Sequence, residues 1–179
     1  MPLYEICHST PLTPAQKSHL AQSITRLHST TFHTPSLFVN VRFTAPEPVG
    51  DYFVAGKPMQ PTSPNRVIAT VRTGGGRTKE AFDEVAKKIQ GFWDDVVVNA
   101  DGAKGNDVRR HRKLHFIVFT GMLAVVENGV VIPGAGEEGS WLKNNMAYFK
   151  EQAEVGNDEH FKDMLKEIEE REDLKSMIL

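Results

Sequence analysis

Apolar residues in the first quarter of the chain follow a strand period, then a helix period, then a strand period again. A strand is predicted near Leu3–His8, and the run Thr13–Gln16 then supplies an N-cap threonine, a proline at the first helical position and a capping-box glutamine. The helical spacing predicts a helix that ends between His28 and Thr31. Its periodic positions are Leu20, Ile24, Leu27 and Thr31. The apolar run Leu37–Phe43 predicts a second strand.

The same pattern returns after a segment rich in Pro and Gly between positions 46 and 64, which itself contains a short predicted strand at Tyr52–Val54. Val67–Arg72 predicts a strand, Thr78 is expected to cap a helix, and Leu114–Phe119 predicts a further strand. Right-handed crossovers make the strands within each unit parallel. The prediction is an α+β fold: a tandem β-α-β repeat with a four-stranded mixed sheet and two helices on one face. The uncovered face predicts association with further subunits.

The last part of the chain changes to an acidic helical pattern. From Trp141 onward, apolar residues recur at helical spacing among Glu and Lys, with a break at 156–158, which predicts two amphipathic helices. Residues 137–179 carry 12 acidic and 6 basic residues, whereas the preceding part carries 11 acidic and 15 basic. We therefore divide the chain into a β-α-β repeat domain over residues 2–136 and an acidic C-terminal helical extension over residues 137–179.

Composition and charge narrow the function classes. No run of about 18 apolar residues exists, so no membrane span is expected. The first thirty residues lack a basic stretch followed by an apolar one, which argues against a secretory signal. The single Cys7 favours a reducing compartment, so we expect the cytoplasm. The net charge of −2 does not predict a nucleic-acid partner, and the basic run Arg109–Lys113, which lacks interleaved aromatics, is read as a solvated loop.

Pro2 is the first candidate for chemistry. It directly follows Met1 and precedes a predicted strand, so removal of Met1 would leave a secondary amine at the fixed first residue of a sheet. A free α-amine titrates at about 7.7–8.0, and burial or a nearby cation lowers its pKa. Such an amine can serve as a general base, a general acid or a nucleophile. Many chains begin Met-Pro without this role, so Pro2 needs support from other residues.

Arg72 and Arg77 form a candidate anion site. They flank a turn that contains the glycines 74–76, one at the end of a strand and the other at the start of a helix. Guanidinium forks and a helix N-terminus suit a carboxylate. The alternative is a flexible turn with two solvated arginines. A phosphate-binding P-loop is not indicated, because no Gly-Lys-Ser/Thr follows the glycines.

His28 and Glu127 are the remaining candidates. His28, late in the first helix, either titrates near neutrality in a site or caps the helix through its dipole. Glu127 precedes the Asn-Gly hairpin signal, where a glutamate is either solvated or faces a site in which burial raises its pKa. His111 and His115 stand four residues apart, but the second lies on a predicted strand, so no metal site is expected.

Several of these features together resemble the tautomerase superfamily, and within it the cis-3-chloroacrylic acid dehalogenase-like branch, over about residues 2–142. They are Pro2, the Leu-Thr-Pro helix entry at 12–14, Ile24-Thr25 followed by His28, the Arg72–Arg77 turn and Val126–Gly129. The resemblance implies a homotrimer with the proline at the bottom of each active site and with no metal or organic cofactor. It also implies a small enol or unsaturated carboxylate as substrate.

The resemblance further assigns a role to each matching residue. Pro2 matches the catalytic proline, and His28 matches the histidine that assists at the substrate or at water. Arg72 and Arg77 match the arginines that hold the substrate carboxylate. Glu127 matches the carboxylate that activates water.

Two departures keep the activity open. The tyrosine expected in the fourth main strand is replaced near Val118, and the spacing between the arginines is longer than in the dehalogenase pattern. In a tautomerase mode, neutral Pro2 moves a proton from an enol to carbon. In a hydratase or dehalogenase mode, protonated Pro2 is the acid, and Glu127 with His28 activates water toward a 3-substituted acrylate. The third alternative is a non-enzymatic trimeric interaction protein that uses its acidic helices.

Overall fold

The computed structural model describes residues 2–59, 64–100 and 111–179. The first unit consists of strand β1 (Leu3–Cys7), helix α1 (Pro14–Thr31) and strand β2 (Asn40–Thr44). The predicted capping box starts α1, because the Thr13 side chain accepts a hydrogen bond from the backbone of Gln16 while the Gln16 side chain accepts one from the backbone of Thr13.

The segment between the two units contains the short antiparallel strands β3 (Phe53–Val54) and β4 (Lys57–Pro58). The second unit follows with β5 (Asn65–Val71), helix α2 (Lys79–Trp93) and β6 (Leu114–Gly121). Strands β1 and β2 are parallel, as are β5 and β6, while β1 and β5 are antiparallel. The sheet order is therefore β2-β1-β5-β6, which confirms the four-stranded mixed sheet of an α+β fold.

One face of this sheet and both helices enclose the main core. Tyr4 and Ile6 of β1 and Val67 and Ala69 of β5 are at most 1% exposed and belong to this core. Alternate residues of a strand point to the same face, so both helices cover one side of the sheet, as predicted. The helix residues in this core are Leu20, Ile24, Leu27, Phe82, Val85, Ile89 and Trp93.

The prediction of a strand over Leu37–Phe43 is wrong for the first half of that range. Ser36–Phe38 forms a 3₁₀ turn after Pro35, and strand pairing begins only at Asn40. The turn places Phe38, which is 1% exposed, in a second hydrophobic core rather than in the sheet. Apolar character alone did not reveal which of the two cores this residue joins.

The predicted Asn-Gly hairpin is confirmed. Strands β7 (Val126–Glu127) and β8 (Val130–Val131) pair in antiparallel fashion around Asn128 and Gly129. Both turn residues have positive φ, 50° and 81°, the left-handed conformation that a tight hairpin requires and that Asn and Gly tolerate best.

The C-terminal extension contains three helices, whereas the acidic pattern predicted two. They are α3 (Glu138–Glu154), α4 (Glu159–Glu170) and α5 (Glu172–Ile178). The extended backbone of Arg171 separates the last two helices. The Arg171 guanidinium donates a hydrogen bond to the backbone oxygen of Ser29 at 3.1 Å, so a contact with the end of α1 accompanies the break.

The extension shares the second core with the body of the protein. Two members of this core, Phe38 and Val130, come from the β-α-β repeat. The members from the extension are Leu142, Phe149, Ala153, Phe161, Met164, Ile168 and Leu174. The division of the chain at residues 136 and 137 stays a prediction.

The structure also bears on the expectations about a membrane span, a metal site, the basic run and association between subunits. No helix within residues 2–59, 64–100 and 111–179 combines the length and the apolar character that crossing a membrane requires. The same ranges contain no group of three or more His, Cys, Asp or Glu arranged to hold a metal ion. Of the basic run, Arg109 and Arg110 lie outside the described residues. Exposed apolar side chains follow β6, at Leu123, Val126 and Val131.

Candidate active site

Pro2 lies directly before β1, at the end of the sheet where β5 and β6 finish. It is buried, and its carbonyl oxygen accepts a hydrogen bond from the backbone N–H of Asn40 at 3.0 Å. The next residue, Leu3, pairs with Asn40 of β2 on one side and with Thr70 of β5 on the other. The sheet therefore fixes the position of the candidate amine from both sides.

His28, in the last turn of α1, is fully buried. Its Nδ1 lies 2.8 Å from the hydroxyl oxygen of Tyr4, which is also fully buried, and its Nε2 has no hydrogen-bond partner among the described residues. Burial, followed by the charge of Arg77, lowers the pKa of His28 to about 2. The imidazole is therefore neutral at physiological pH and keeps one unused hydrogen-bonding atom. Sequence analysis did not single out Tyr4, whose only signal was its place two residues after Pro2.

The glycine turn brings Arg72 and Arg77 together. Arg77 donates its backbone N–H to the oxygen of Gly74 at 2.9 Å, and the three glycines 74–76 all have positive φ. Gly75 also approaches the segment before α3 so closely that a Cβ would lie 1.9 Å from the oxygen of Ala135. The two arginine side chains are only 8% and 5% exposed, so they are not solvated groups on a flexible turn.

Glu138, at the start of α3, lies between the two arginines. Its Oε1 is 3.0 Å from Arg72 Nη2 and also accepts a hydrogen bond from Arg77 Nη2. Its Oε2 accepts a hydrogen bond from the backbone N–H of Gly136 at 2.8 Å. Sequence analysis missed this residue because it lies 61 positions beyond Arg77; an acidic residue near the start of a predicted helix was the only signal.

Phe32 connects the histidine to the arginine pair. Its ring centroid is 4.7 Å from that of His28 and 4.9 Å from the guanidinium carbon of Arg77. Arg77 Nη2 also donates to the backbone oxygen of Phe32 at 3.4 Å. Burial, and then the charge of Arg72, lowers the pKa of Arg77 to about 10. The arginine remains a cation at neutral pH, held against an aromatic face.

Glu127, at the hairpin, is half-buried and connects to Pro2 through Asn40. Its Oε1 accepts a hydrogen bond from Asn40 Nδ2 at 2.8 Å, while its Oε2 has no partner among the described residues. Burial raises the pKa of this carboxyl, and the bond from Asn40 opposes that shift. Asn40 thus contacts Pro2 through its backbone and Glu127 through its side chain, a role that sequence analysis did not assign.

The five predicted residues therefore form two connected groups at one end of the sheet. One group links Pro2 to Glu127 through Asn40, and the other links His28 to the arginine pair. Near Val118, where the dehalogenase pattern expects a tyrosine, the β6 side chain is 38% exposed. A cleft of about 160 Å³ lies beside Arg72, lined by residues 122–125 and 132–135.

Comparisons with known proteins agree with this fold. A structure of N1, a member of the cis-3-chloroacrylic acid dehalogenase family, is 20% identical, with a TM-score of 0.59 over 78% of this chain and 90% of that one. A fused 4-OT asymmetric trimer is 14% identical, with a TM-score of 0.52 over 72% of this chain and 94% of that one. A "probable enzyme" from the fungus Aspergillus fumigatus is 25% identical, with a TM-score of 0.50 over 81% of this chain and 94% of that one.

These similarities show the shared fold. No curated protein matches the sequence. The family model described as "Putative oxalocrotonate tautomerase enzyme" matches residues 1–146. The match spans both β-α-β units and reaches into α3, so the chain belongs to this family of the tautomerase superfamily, which confirms the resemblance seen in the sequence.

Proposed function

We propose that the protein is a tautomerase-type enzyme in which the amine of Pro2, freed by removal of Met1, transfers a proton on a small enolisable or unsaturated carbonyl compound. The observation that carries this proposal is the position of Pro2: it is buried at the start of β1, at the sheet end where Arg72 follows β5. The charges of both arginines act on the pKa of His28, which is consistent with a shared site.

The proposed chemistry uses Pro2 as a base. Neutral Pro2 takes the proton of an enol hydroxyl and returns a proton to carbon, so that the keto form results. Nearby guanidinium groups lower the pKa of an amine, which favours the neutral base at physiological pH. The same cations stabilise the negative charge that develops on the substrate oxygen. Neutral His28 contributes a hydrogen bond through Nε2 rather than a charge.

Arg72 and Arg77 are proposed to bind the substrate. The sequence-based proposal is that they hold the carboxylate of an acid substrate. The contact with Glu138, whose Oε1 lies against both guanidinium groups, supports their capacity to hold one carboxylate oxygen together. A substrate carboxylate at this position has to compete with Glu138.

Hydration of a 3-substituted acrylate is the second candidate function. The observation in its favour is Glu127. Its Oε2 has no hydrogen-bond partner in the part of the chain that the structure describes, and burial raises its pKa, which suits a group that takes a proton from water. In this mode protonated Pro2 donates a proton to the α-carbon, while water, activated by Glu127 and His28, adds to the β-carbon. The two modes need opposite protonation states of Pro2.

We further propose that the protein works as a homotrimer in the cytoplasm. The structural similarity to a fused trimer of the same fold and the exposed apolar residues after β6, at Leu123, Val126 and Val131, support an association between copies of the chain.

The proposal is tested first by the intact mass of the native protein, which should lack Met1. Pro2→Ala should then lower kcat/KM for a 2-hydroxydienoate by about 100-fold or more, the usual contribution of a general base. Pro11→Ala, at an exposed proline in the loop before α1, is the matched control and should retain full activity.

Turnover of a 3-haloacrylate separates the two candidate functions. Glu127→Gln should abolish hydration and leave tautomerisation intact. Retention of Met1, or full activity of Pro2→Ala, would contradict both functions and favour a non-enzymatic interaction protein.

A further inference from the structure

The arginine pair already holds a carboxylate that belongs to the chain itself. Glu138 contacts both guanidinium groups through Oε1 and the backbone N–H of Gly136 through Oε2. Its side chain is 9% exposed, comparable to the exposures of the two arginine side chains. This is the binding mode in which two arginines and one backbone N–H would receive the carboxylate of an acid.

Glu138 is held in this position by the packing of its helix. Leu142, one turn further along α3, is fully buried in the second core, and Gly139 lies against Met177 of α5. The cavity beside Glu138, lined also by Arg72, Phe38 and Trp141, has a volume of about 10 Å³. That volume holds one water molecule, so the carboxylate cannot swing aside into it.

The remaining positive charge of the arginine pair suits one further oxyanion but not a second carboxylate beside Glu138. Two guanidinium groups and one carboxylate carry one net positive charge, and the adjacent His28 is neutral. Arg72 Nη1 donates to the backbone oxygen of Pro133 at 3.1 Å, whereas its buried Nε has no partner among the described residues. This unused donor, beside one net positive charge, suits the oxygen of an enolate.

We propose that Glu138 is a specificity-determining residue that fills the carboxylate position of the arginine pair, so that the enzyme acts on an uncharged enolisable carbonyl compound in preference to the corresponding acid. This inference depends on the proposed tautomerase function and narrows its substrate class. An acid must displace a fixed internal carboxylate, whereas a ketone or an ester presents only its carbonyl oxygen to the cationic pair.

The test compares 2-hydroxy-2,4-pentadienoate with its methyl ester as substrates. The wild type should turn over the ester with the higher kcat/KM. Glu138→Ala, which empties the position that an isosteric glutamine would still fill, should raise kcat/KM for the acid relative to the ester by about 10- to 100-fold, the range expected when a charged hydrogen-bonded partner is gained. Glu137→Ala is the matched control, because this neighbouring carboxylate is exposed and accepts a hydrogen bond from the backbone of Gly134 instead of from the arginines. A wild type that prefers the acid, or an unchanged ratio in Glu138→Ala, would overturn the proposal.

Binding measurements separate this inference from the proposed function. If neither compound is turned over, the tautomerase function fails, and the melting temperature with each compound decides the specificity. The acid should then raise the melting temperature of Glu138→Ala and not that of the wild type. Equal shifts in the two proteins would overturn the proposal. Circular dichroism checks that the variant folds. If the variant does not fold, the ratio of kcat/KM for the ester to kcat/KM for the acid in the wild type decides the proposal.

Discussion

Replacing His28 by Gln tests whether this imidazole is held neutral inside the fold. Burial lowers the pKa of His28 to about 2, whereas an unfolded histidine takes up a proton near pH 6.5. The unfolded chain therefore binds more protons than the folded chain below that pH. Stability is at its full value above about pH 6.5 and falls as the pH drops toward 2.

The size of the effect follows from this difference in proton binding. Between pH 7 and pH 5 the folded imidazole stays neutral while the unfolded one becomes protonated, which costs about 2 kcal/mol of stability at about 1.4 kcal/mol per pH unit. Asp173, whose pKa is lowered to about 2 chiefly by its hydrogen bond with Arg171, loses its contribution only below its ordinary value near 3.8. The loss between pH 7 and pH 5 is therefore assigned mainly to His28.

Urea denaturation at pH 7, 6 and 5 measures the free energy of unfolding directly. The wild type should lose about 2 kcal/mol more than His28→Gln between pH 7 and pH 5. His19→Gln is the matched control, because this histidine lies on the exposed side of the same helix, and it should retain the pH dependence of the wild type. A His28→Gln variant that loses as much stability as the wild type over this range would refute the argument.

Four further substitutions test the packing around the site, in α2 and in the extension. Glu138→Gln should lower the free energy of unfolding by about 3–5 kcal/mol, because it leaves two buried guanidinium groups without a carboxylate. A loss below about 1 kcal/mol, measured by urea denaturation, would contradict the burial of these groups. Gly75→Ala should lower the melting temperature, because Gly75 has a positive φ and the new Cβ would overlap Ala135. Gly91→Ala, in α2 with open space around it, should instead raise the free energy of unfolding by about 0.5–1 kcal/mol. Phe149→Ala should cost about 3–5 kcal/mol, and a two-state unfolding curve with a smaller loss would show that the second core is loosely packed.

The sequence predicted the elements whose signals are local. The capping box at Thr13 and Gln16 lies within four residues, and the Asn-Gly hairpin within two, so both were found where the structure has them. The pairing of the two units into one sheet also followed, because short crossovers leave few topologies. The closeness of Arg72 to Arg77 was predictable because only four residues, most of them glycines, lie between them.

The features that sequence analysis missed depend on contacts between distant segments. Glu138 reaches the arginines across more than sixty positions, and no local pattern distinguishes it from its exposed neighbour Glu137. Phe38 joins a core built mainly by helices that follow a hundred residues later, so its apolar character was read as a strand. The break at Arg171 likewise coincides with hydrogen bonds to the end of α1, not with a glycine or proline signal.

The position of Glu138 has a consequence for anyone who wishes to reduce this protein to a minimal catalytic fragment. The counter-ion of the arginine pair is carried by the first turn of α3, on the C-terminal side of the predicted boundary at residue 136. A fragment that ends there would keep every predicted catalytic side chain and yet leave two cations unpaired in a site built around one internal anion. Chimeras that join this body to another tail therefore need to carry the glutamate with them.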